Sequence, residues 1–421
     1  MRLCSRIRNE DGQTVILAAL CFPVLLGFLG LAADVGILTI ARDKAQSAAD
    51  SAALAGAAEL NYGDYTAAAQ AAAALNGYTD AANGTTISVN PSGNSTPTPL
   101  YGAYAGQAGY LEVIVSQSQP TYFMRVFGFS SMTVSGRAVA TQGRNPNCIY
   151  LLQTTGTTLT MNNAAKLTSS NCGLVDDSSG SSAVSVTDGS SLTTSSTEIA
   201  GSYTESDATV SPTPVTGIVP VSDPLAYLSP PSYTASSCTS DPGGSYQGGS
   251  TYSVGPGSNH STTQNGNLVC YNSLTLGGNG NTVTVNPGIY VITGSLSLSS
   301  GTVKGGTGVT FYLVGSGSVS LAQGTTFNFT APTSGTYNGI LFYQNRADTQ
   351  AATIEGGASS TMQGILYFPN AALTLGNGSA VTFYTPIIAA TLTMYGGSNF
   401  TDDDYSTVNS ASPLTSPRLV E

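Results

Sequence analysis

Asp176-Asp177, Glu355 with its sequence neighbours Arg346 and Asp348, the run Asp402-Asp403-Asp404 and the single imidazole His260 are the groups whose chemistry is worth testing first. Cleaving a glycosidic bond needs two carboxyl groups on one face, roughly 5–9.5 Å apart. Neighbouring residues on a strand point to opposite faces, so Asp176 and Asp177 make a poor catalytic pair. The Asp402–Asp404 run has the oxygen ligands a calcium ion takes, but at the end of a polar, strand-rich region it reads as a solvated terminus. Glu355, between Ile354 and Gly356, reads as a surface or turn residue. His260 sits in a Gly/Asn/Ser loop with no Ser–Asp arrangement near it, which leaves a hydrolytic triad unsupported. Gly-rich turns such as Gly277-Gly278 are followed by no helix, so they cradle no phosphate. The expectation is no enzyme and no cofactor.

Six cysteines divide by position. Cys4 precedes a long apolar run and Cys21 lies within it, and neither is expected to pair. Cys148, Cys172, Cys238 and Cys270 form an even set, which an oxidising compartment would link. Four cysteines allow three pairings. The nearest neighbours, Cys148–Cys172 and Cys238–Cys270, are the expected ones. No C-x-x-C spacing exists, so a zinc site is not expected.

These groups stand on a chain of 421 residues that is 41% apolar and only 8% charged, with a net charge of −11. A charged fraction of about 25% is usual. Solubility here must come from hydroxyls, amides and backbone. Residues 1–144 carry eight basic and nine acidic groups, whereas residues 145–421 carry four basic and fourteen acidic ones. Such a basic-poor surface excludes a nucleic-acid footprint.

Residues 14–33 carry no charge. As helix they span about 30 Å, the thickness of a bilayer core. Arg2, Arg6 and Arg8 precede the run and Asp34 follows it, so the positive-inside rule puts the N-terminus in the cytoplasm and the bulk outside. A cleaved signal peptide would have a shorter apolar region and a small-residue cleavage site, so a retained anchor is expected. The Ala-rich sequence after Asp34 favours helix, extending the anchor into one rod with Asn61 and Gly63 as its stop. Ile37, Ile40, Ala41, Ala45, Ala48, Ala49, Ala52 and Ala53 share one face, small enough to admit another helix and permit self-association.

Gly12, the apolar run with Pro23, then Asp34-Val35-Gly36, Arg42, Gln46 and Ala48-Ala49-Asp50-Ser51-Ala52-Ala53-Leu54-Ala55-Gly56-Ala57 resemble the N-terminal domain of TadG-like Flp (tight-adherence) pilus-assembly proteins. Ser51 departs from the commoner Ala. Leu17 stands five residues after Gly12, where related pilins carry Glu, so the resemblance does not extend to prepilin processing. It implies that Pro23, Asp34, Gly36, Arg42, Gln46, Ala49, Asp50, Leu54 and Gly56 serve helix packing. The implied partners are the bacterial inner membrane and other pilus-assembly subunits. A short helix over 64–76, strands near 86–89 and 110–115, a turn of helix at Arg125 and a strand over 134–140 read as a small α+β, pilin-like module. Tyr122, Phe123, Phe127 and Phe129 read as its core rather than a docking patch.

Beyond residue 146, alternating apolar and Ser/Thr runs are separated by Gly and Asn turns. GIYVITG, TFYLVG, GILFYQ, GILYFP and TPIIAA recur at coil-length steps, interleaved with SLSL, SVSL, ALTL and TLTM. That pattern predicts a parallel β-helix in preference to a β-sandwich. Cys148-Ile149, Cys172-Gly173-Leu174-Val175, Asp223-Pro224-Leu225, Pro287-Gly288-Ile289-Tyr290 and Gly364-Ile365-Leu366-Tyr367 also resemble the C-terminal region of longer TadG-like proteins. The expected organisation is a cytoplasmic tail (1–13), a transmembrane helix continuing into the Ala-rich helix (14–60), the α+β module (61–145) and the solenoid (146–421), with a Pro/Gly/Ser-rich excursion at about 199–265. The expected function is a membrane-anchored, non-catalytic part of pilus assembly in the cell envelope. A surface adhesin or glycan-binding β-helix is the alternative, and a polysaccharide-cleaving enzyme a distant third.

Overall fold

The computed structural model describes residues 11–90, 98–240, 249–322, 325–355, 360–376, 380–401 and 413–421, apart from His260, Thr262, Asn265, Asn279 and Ser299. Arg2, Cys4, Arg6, Arg8, His260 and Asp402–Asp404 therefore lie outside the described residues. The chain forms two units. One runs to Gly143 and takes up Ser416–Glu421 again, and the other is Arg144–Thr415.

In the first unit, the uncharged run and the Ala-rich sequence form a single helix, α1 (Asp11–Ala58), that passes through Pro23 without a break. At 1.5 Å per residue it is about 70 Å long. Its apolar part is long enough to cross a membrane. A second helix, α2 (Tyr65–Leu75), and the strands β1 (Thr85–Asn90), β2 (Tyr110–Pro120) and β3 (Ser131–Arg144) pack against its distal half. β2 pairs antiparallel with both β1 and β3. The strand Thr415–Leu419 completes the sheet beside β3. The sequence reading carries the second domain to residue 421, but these last residues belong to the first unit, whose sheet is built from two ends of the chain.

Ala45, Ala48, Ala49, Ala52, Ala53 and Ala57 are all fully buried, against Leu111, Val113, Val115, Ala138 and Ala140 of the sheet and Ala69 and Ala73 of α2. The small-residue face does receive another helix, the chain's own α2, and together with the sheet this covers the surface expected to permit self-association. Ile37 and Ile40, assigned to the same face, are exposed. The aromatic residues expected in the core also turn outward: Tyr122, Phe123, Phe127 and Phe129 are all exposed.

In the second unit the chain visits the same three stations on each turn. The first turn runs through Asn147–Leu151, Leu159–Met161 and Lys166–Ser169. The second passes through Gly173–Asp176, Val184–Thr187 and Ser191–Thr194, each parallel to its predecessor. A third turn reaches Thr209–Ser211, so residues 199–211, placed in the excursion by the sequence reading, continue the ladder. The chain then resumes at Thr251–Val254, and further turns stack in parallel as far as Asn399–Thr401. This last turn lies directly on the first: Ile387 pairs with Ile149, Leu392 with Leu159 and Phe400 with Leu167, all parallel. The winding is solenoid-like. It begins in the middle of the stack, runs to one end, and restarts at the other end to close on its own beginning.

The alternation in sequence explains the inside. In Ser295–Leu298 and Ser318–Leu321 the Leu and Val side chains are buried and the Ser face outward, where hydroxyl side chains suit an exposed pleat. At the first station both faces are apolar, as in Val309–Leu313 and Ile340–Gln344, where every residue is buried. A strand apolar on both faces needs cover on both. The inner side carries Tyr290, Phe311, Phe342 and Phe368, with neighbouring ring centroids 5.2–6.0 Å apart. The outer side carries a second apolar cluster of Tyr312, Tyr343, Tyr367, Ile388 and Tyr150, covered by Leu225 and Leu228. The polar excursion is therefore a strap across the outside of one ladder. The two disulfides are Cys148–Cys172, between consecutive turns, and Cys238–Cys270, which fixes the strap to the ladder.

Candidate functional site

The residues singled out along α1 work at the junction between helix and sheet. Gln46 acts there as a substitute backbone: its Nε2 donates to the Arg137 carbonyl (2.8 Å) and its Oε1 accepts from the Arg137 N–H (3.1 Å). Nε2 also donates to Asp50 Oδ1 at 2.7 Å. Such close contact needs Gly136, where any Cβ would run into the Ala45–Gln46 backbone. Gly56 similarly leaves room for Leu111 and for the Tyr65 carbonyl. Asp34, almost fully buried, accepts backbone N–H bonds from Tyr122 (3.0 Å), Phe123 (2.8 Å) and Met124 (2.6 Å). Ala49 is buried, Asp50 and Leu54 are half-buried, and Arg42 is exposed beside Val35 and Thr39 in a shallow groove closed by Met132–Ser135. Gly36 has open space where a side chain would stand. Pro23 is exposed on the apolar half of α1.

The sheet holds a charged group that spacing could not have revealed. Glu112 is fully buried in β2, bonded by Arg137 Nε at 2.5 Å, Asn90 Nδ2 at 2.9 Å and the Leu100 N–H at 3.0 Å. Arg137 also reaches Glu421 Oε1 at 3.1 Å and the Tyr101 carbonyl at 2.5 Å. Burial alone would raise the Glu112 carboxyl. The Leu100 N–H, Arg137 and Asn90 outweigh that and hold it below its ordinary range.

In the β-rich unit Asp176, Asp177, Asp223, Asp348 and Glu355 each accept hydrogen bonds from within the unit. Asp176 and Asp177 do face opposite ways. Asp176 is buried within the turn, accepting from Thr158 Oγ1 (2.5 Å) and the Ser178 N–H (2.9 Å), and Asp177 accepts the strap's Val221 N–H at 2.8 Å. Arg346 is the strap's main tether. It bonds the Leu225 and Leu228 carbonyls, pairs with Asp223 at 3.4 Å, and lies 5.4 Å from the Tyr367 ring centroid. Tyr367 donates to the same Asp223 at 2.5 Å, and Tyr343 to the Leu228 carbonyl at 2.8 Å. Glu355 instead accepts from Tyr395 (2.7 Å), and Asp348 accepts the Gln350 N–H (3.0 Å). Arg346, Asp348 and Glu355 thus serve three separate contacts rather than one groove. Among the described residues no three His, Cys, Asp or Glu side chains gather as a metal site would require.

Burial, only partly offset by Thr158 and the Ser178 N–H, pushes the Asp176 carboxyl up to about 6. A carboxyl raised on folding favours the folded state when protonated, so its cost is absent below the unfolded value near 4 and complete above about 6. Asp176→Asn should therefore stabilise this unit by about 2 kcal/mol at pH 7 and have little effect at pH 4. The amide can donate to Thr158 Oγ1, whose own hydrogen already has the Ala183 carbonyl 3.0 Å away. Urea midpoints at the two pH values check this, and an equal loss of stability at both would overturn it.

Two family models match, one described as Flp pilus-assembly TadE/G-like over residues 12–59 and the other as Tad-like Flp pilus-assembly over residues 42–140. Through these residues the chain is similar to TadE/G-like Flp pilus-assembly proteins. Both Tad matches end before the β-rich unit, and no curated protein and no solved structure matches the chain. The Tad span covers α1, α2 and nearly all of the sheet through β3, and so contains Asp34, Gln46, Gly56 and Arg137. Both descriptions refer to Flp pilus assembly. Sequence reasoning found the helix side of the junction from the motif. It missed Gly136, Glu112 and Arg137, for which the only signal was charge and Gly inside otherwise strand-like runs.

Proposed function

We propose that the protein is a single-pass component of Flp/Tad pilus assembly, anchored in the bacterial cytoplasmic membrane by the first half of α1. The N-terminus lies in the cytoplasm. The pilin-like module and a parallel β-helix stand outside, where the β-helix acts as a non-catalytic scaffold for other pilus-assembly subunits. The observation that carries this reading is the Tad match over residues 12–140, which includes the one helix among the described residues apolar enough to cross a bilayer. The commitment of Asp176, Asp177, Arg346 and Glu355 to internal contacts supports a scaffold over an enzyme.

Protease shaving of intact cells and of spheroplasts, following an epitope placed after Glu421, tests the reading. Digestion in spheroplasts alone is the expected result and puts the β-helix in the periplasm. Digestion on intact cells would favour a surface adhesin. Protection in both would overturn the topology.

A further inference from the structure

The segment between β2 and β3 combines an apolar exterior with a satisfied backbone. Tyr122, Phe123, Val126, Phe127 and Phe129 are 63, 49, 83, 70 and 56% exposed, an apolar display that water disfavours. Yet seven of the N–H groups between Thr121 and Ser130 are paired within the protein. Those of Tyr122, Phe123 and Met124 go to the Asp34 carboxylate, that of Thr121 to the Ser130 carbonyl, and those of Val126, Gly128 and Phe129 to carbonyls within the turn. Surface loops in water usually leave such groups to the solvent and expose polar side chains. The reverse arrangement suits hydrocarbon, where no water is available to satisfy a backbone donor.

Its position fits as well. Phe123 packs on Gly30, where a Cβ would strike its ring, and Phe127 closes a groove with Pro23, Val24, Gly27, Phe28 and Leu31. Gly27 lies about 10 Å of helix from Asp34, toward the N-terminus. An interfacial element sinks its apolar face by roughly that depth. Arg125 is exposed on the same turn, and Arg with aromatic residues is the composition of a membrane–water boundary.

We infer that residues 121–130 form an aromatic wedge that enters the outer leaflet beside α1 and sets the depth of the helix in the bilayer. Asp34 makes this entry possible by taking up backbone donors that lipid cannot. The inference rests on the reading of α1 as a membrane span, so its test must separate the two. The chain has no Trp, and a single introduced indole reports its own surroundings. Phe127→Trp, Leu25→Trp in the span and Val219→Trp on the strap would each be placed in the full chain. The proteins would be reconstituted in phosphatidylethanolamine/phosphatidylglycerol vesicles containing lipids brominated at shallow or deep acyl positions.

The expected result is strong quenching of Phe127→Trp by shallow bromines, strong quenching of Leu25→Trp, and none of Val219→Trp. Quenching of Leu25→Trp with Phe127→Trp open to aqueous iodide would overturn the wedge while keeping the anchor. If Phe127→Trp were shielded from both bromine and iodide, and more so at higher protein-to-lipid ratio, a protein partner would cover the turn and the lipid assignment would fall. Absence of bromine quenching at both Leu25→Trp and Phe127→Trp would remove the anchor and the wedge together.

Discussion

Arg137→Met should cost the N-terminal unit about 3–5 kcal/mol, because it leaves the Glu112 carboxylate buried without its cation. Glu112 is fully buried and, among the described residues, Arg137 at 2.5 Å is its only charged partner, the other donors being the neutral Asn90 and Leu100 groups. The substitution also removes the bond to Glu421, which helps hold the strand from the far end of the chain. Pulse proteolysis in urea reads the result, with the N-terminal unit cleaved at lower urea than in the parent. Adding Glu112→Gln should recover more than half of the loss, since a neutral amide needs no counter-ion. Loss of the same size in single and double variants would show that Arg137 acts through packing alone. The pair also sets an acid limit. Glu112 is held below its ordinary value, so its stabilisation is present above the unfolded value near 4.3 and is lost as pH falls through the folded one. Asp176 works in the opposite direction, so between pH 7 and about 5 the β-rich unit gains stability while the N-terminal unit changes little.

Arg346→Met should release the strap at a cost of about 2–3 kcal/mol. The guanidinium joins the Leu225 and Leu228 carbonyls, the Asp223 carboxylate and the Tyr367 ring, and its side chain is 33% exposed, which keeps the figure below that for a fully buried pair. Asp223 retains Tyr367 as a donor, so some of its charge stays solvated by protein. Hydrogen exchange at the Val221, Leu225 and Leu228 amides should quicken, while the interior amides of Phe311 and Phe342 stay protected. Arg346→Lys should fall between, because an ammonium cannot fork to two carbonyls and a carboxylate at once. Unchanged exchange over 221–228 would mean that the apolar contacts of Leu225 and Leu228 hold the strap unaided.

Both sites show where reading the residues succeeds. Alternating Leu/Ser and Val/Thr runs are visible because a strand's two faces follow directly from a period of two. The cysteine pairs were the nearest in sequence and are the ones that form. Gln46 stood out only as part of a motif. Its bond to the Arg137 backbone spans 91 residues and has no local signature. The turn at 122–129 exposes Tyr122, Phe123, Phe127 and Phe129 against the rule that aromatic residues go inside, and no local spacing signals it.

By itself, the sequence determined the long apolar helix, its Ala-rich continuation and the β-rich remainder, since each depends on composition and on spacing within a few residues. Only the tertiary structure decided that turn 387–401 stacks on turn 147–169, that residues 416–421 return to the first sheet, and that a polar segment covers the tyrosines of one ladder. The physical reason is that each turn offers nearly the same apolar interior and the same row of backbone donors and acceptors to either neighbour. Local pattern therefore fixes what a turn is, while its place in the stack depends on long-range packing, on the Cys238–Cys270 link and on Arg346 holding the strap that spans the stack.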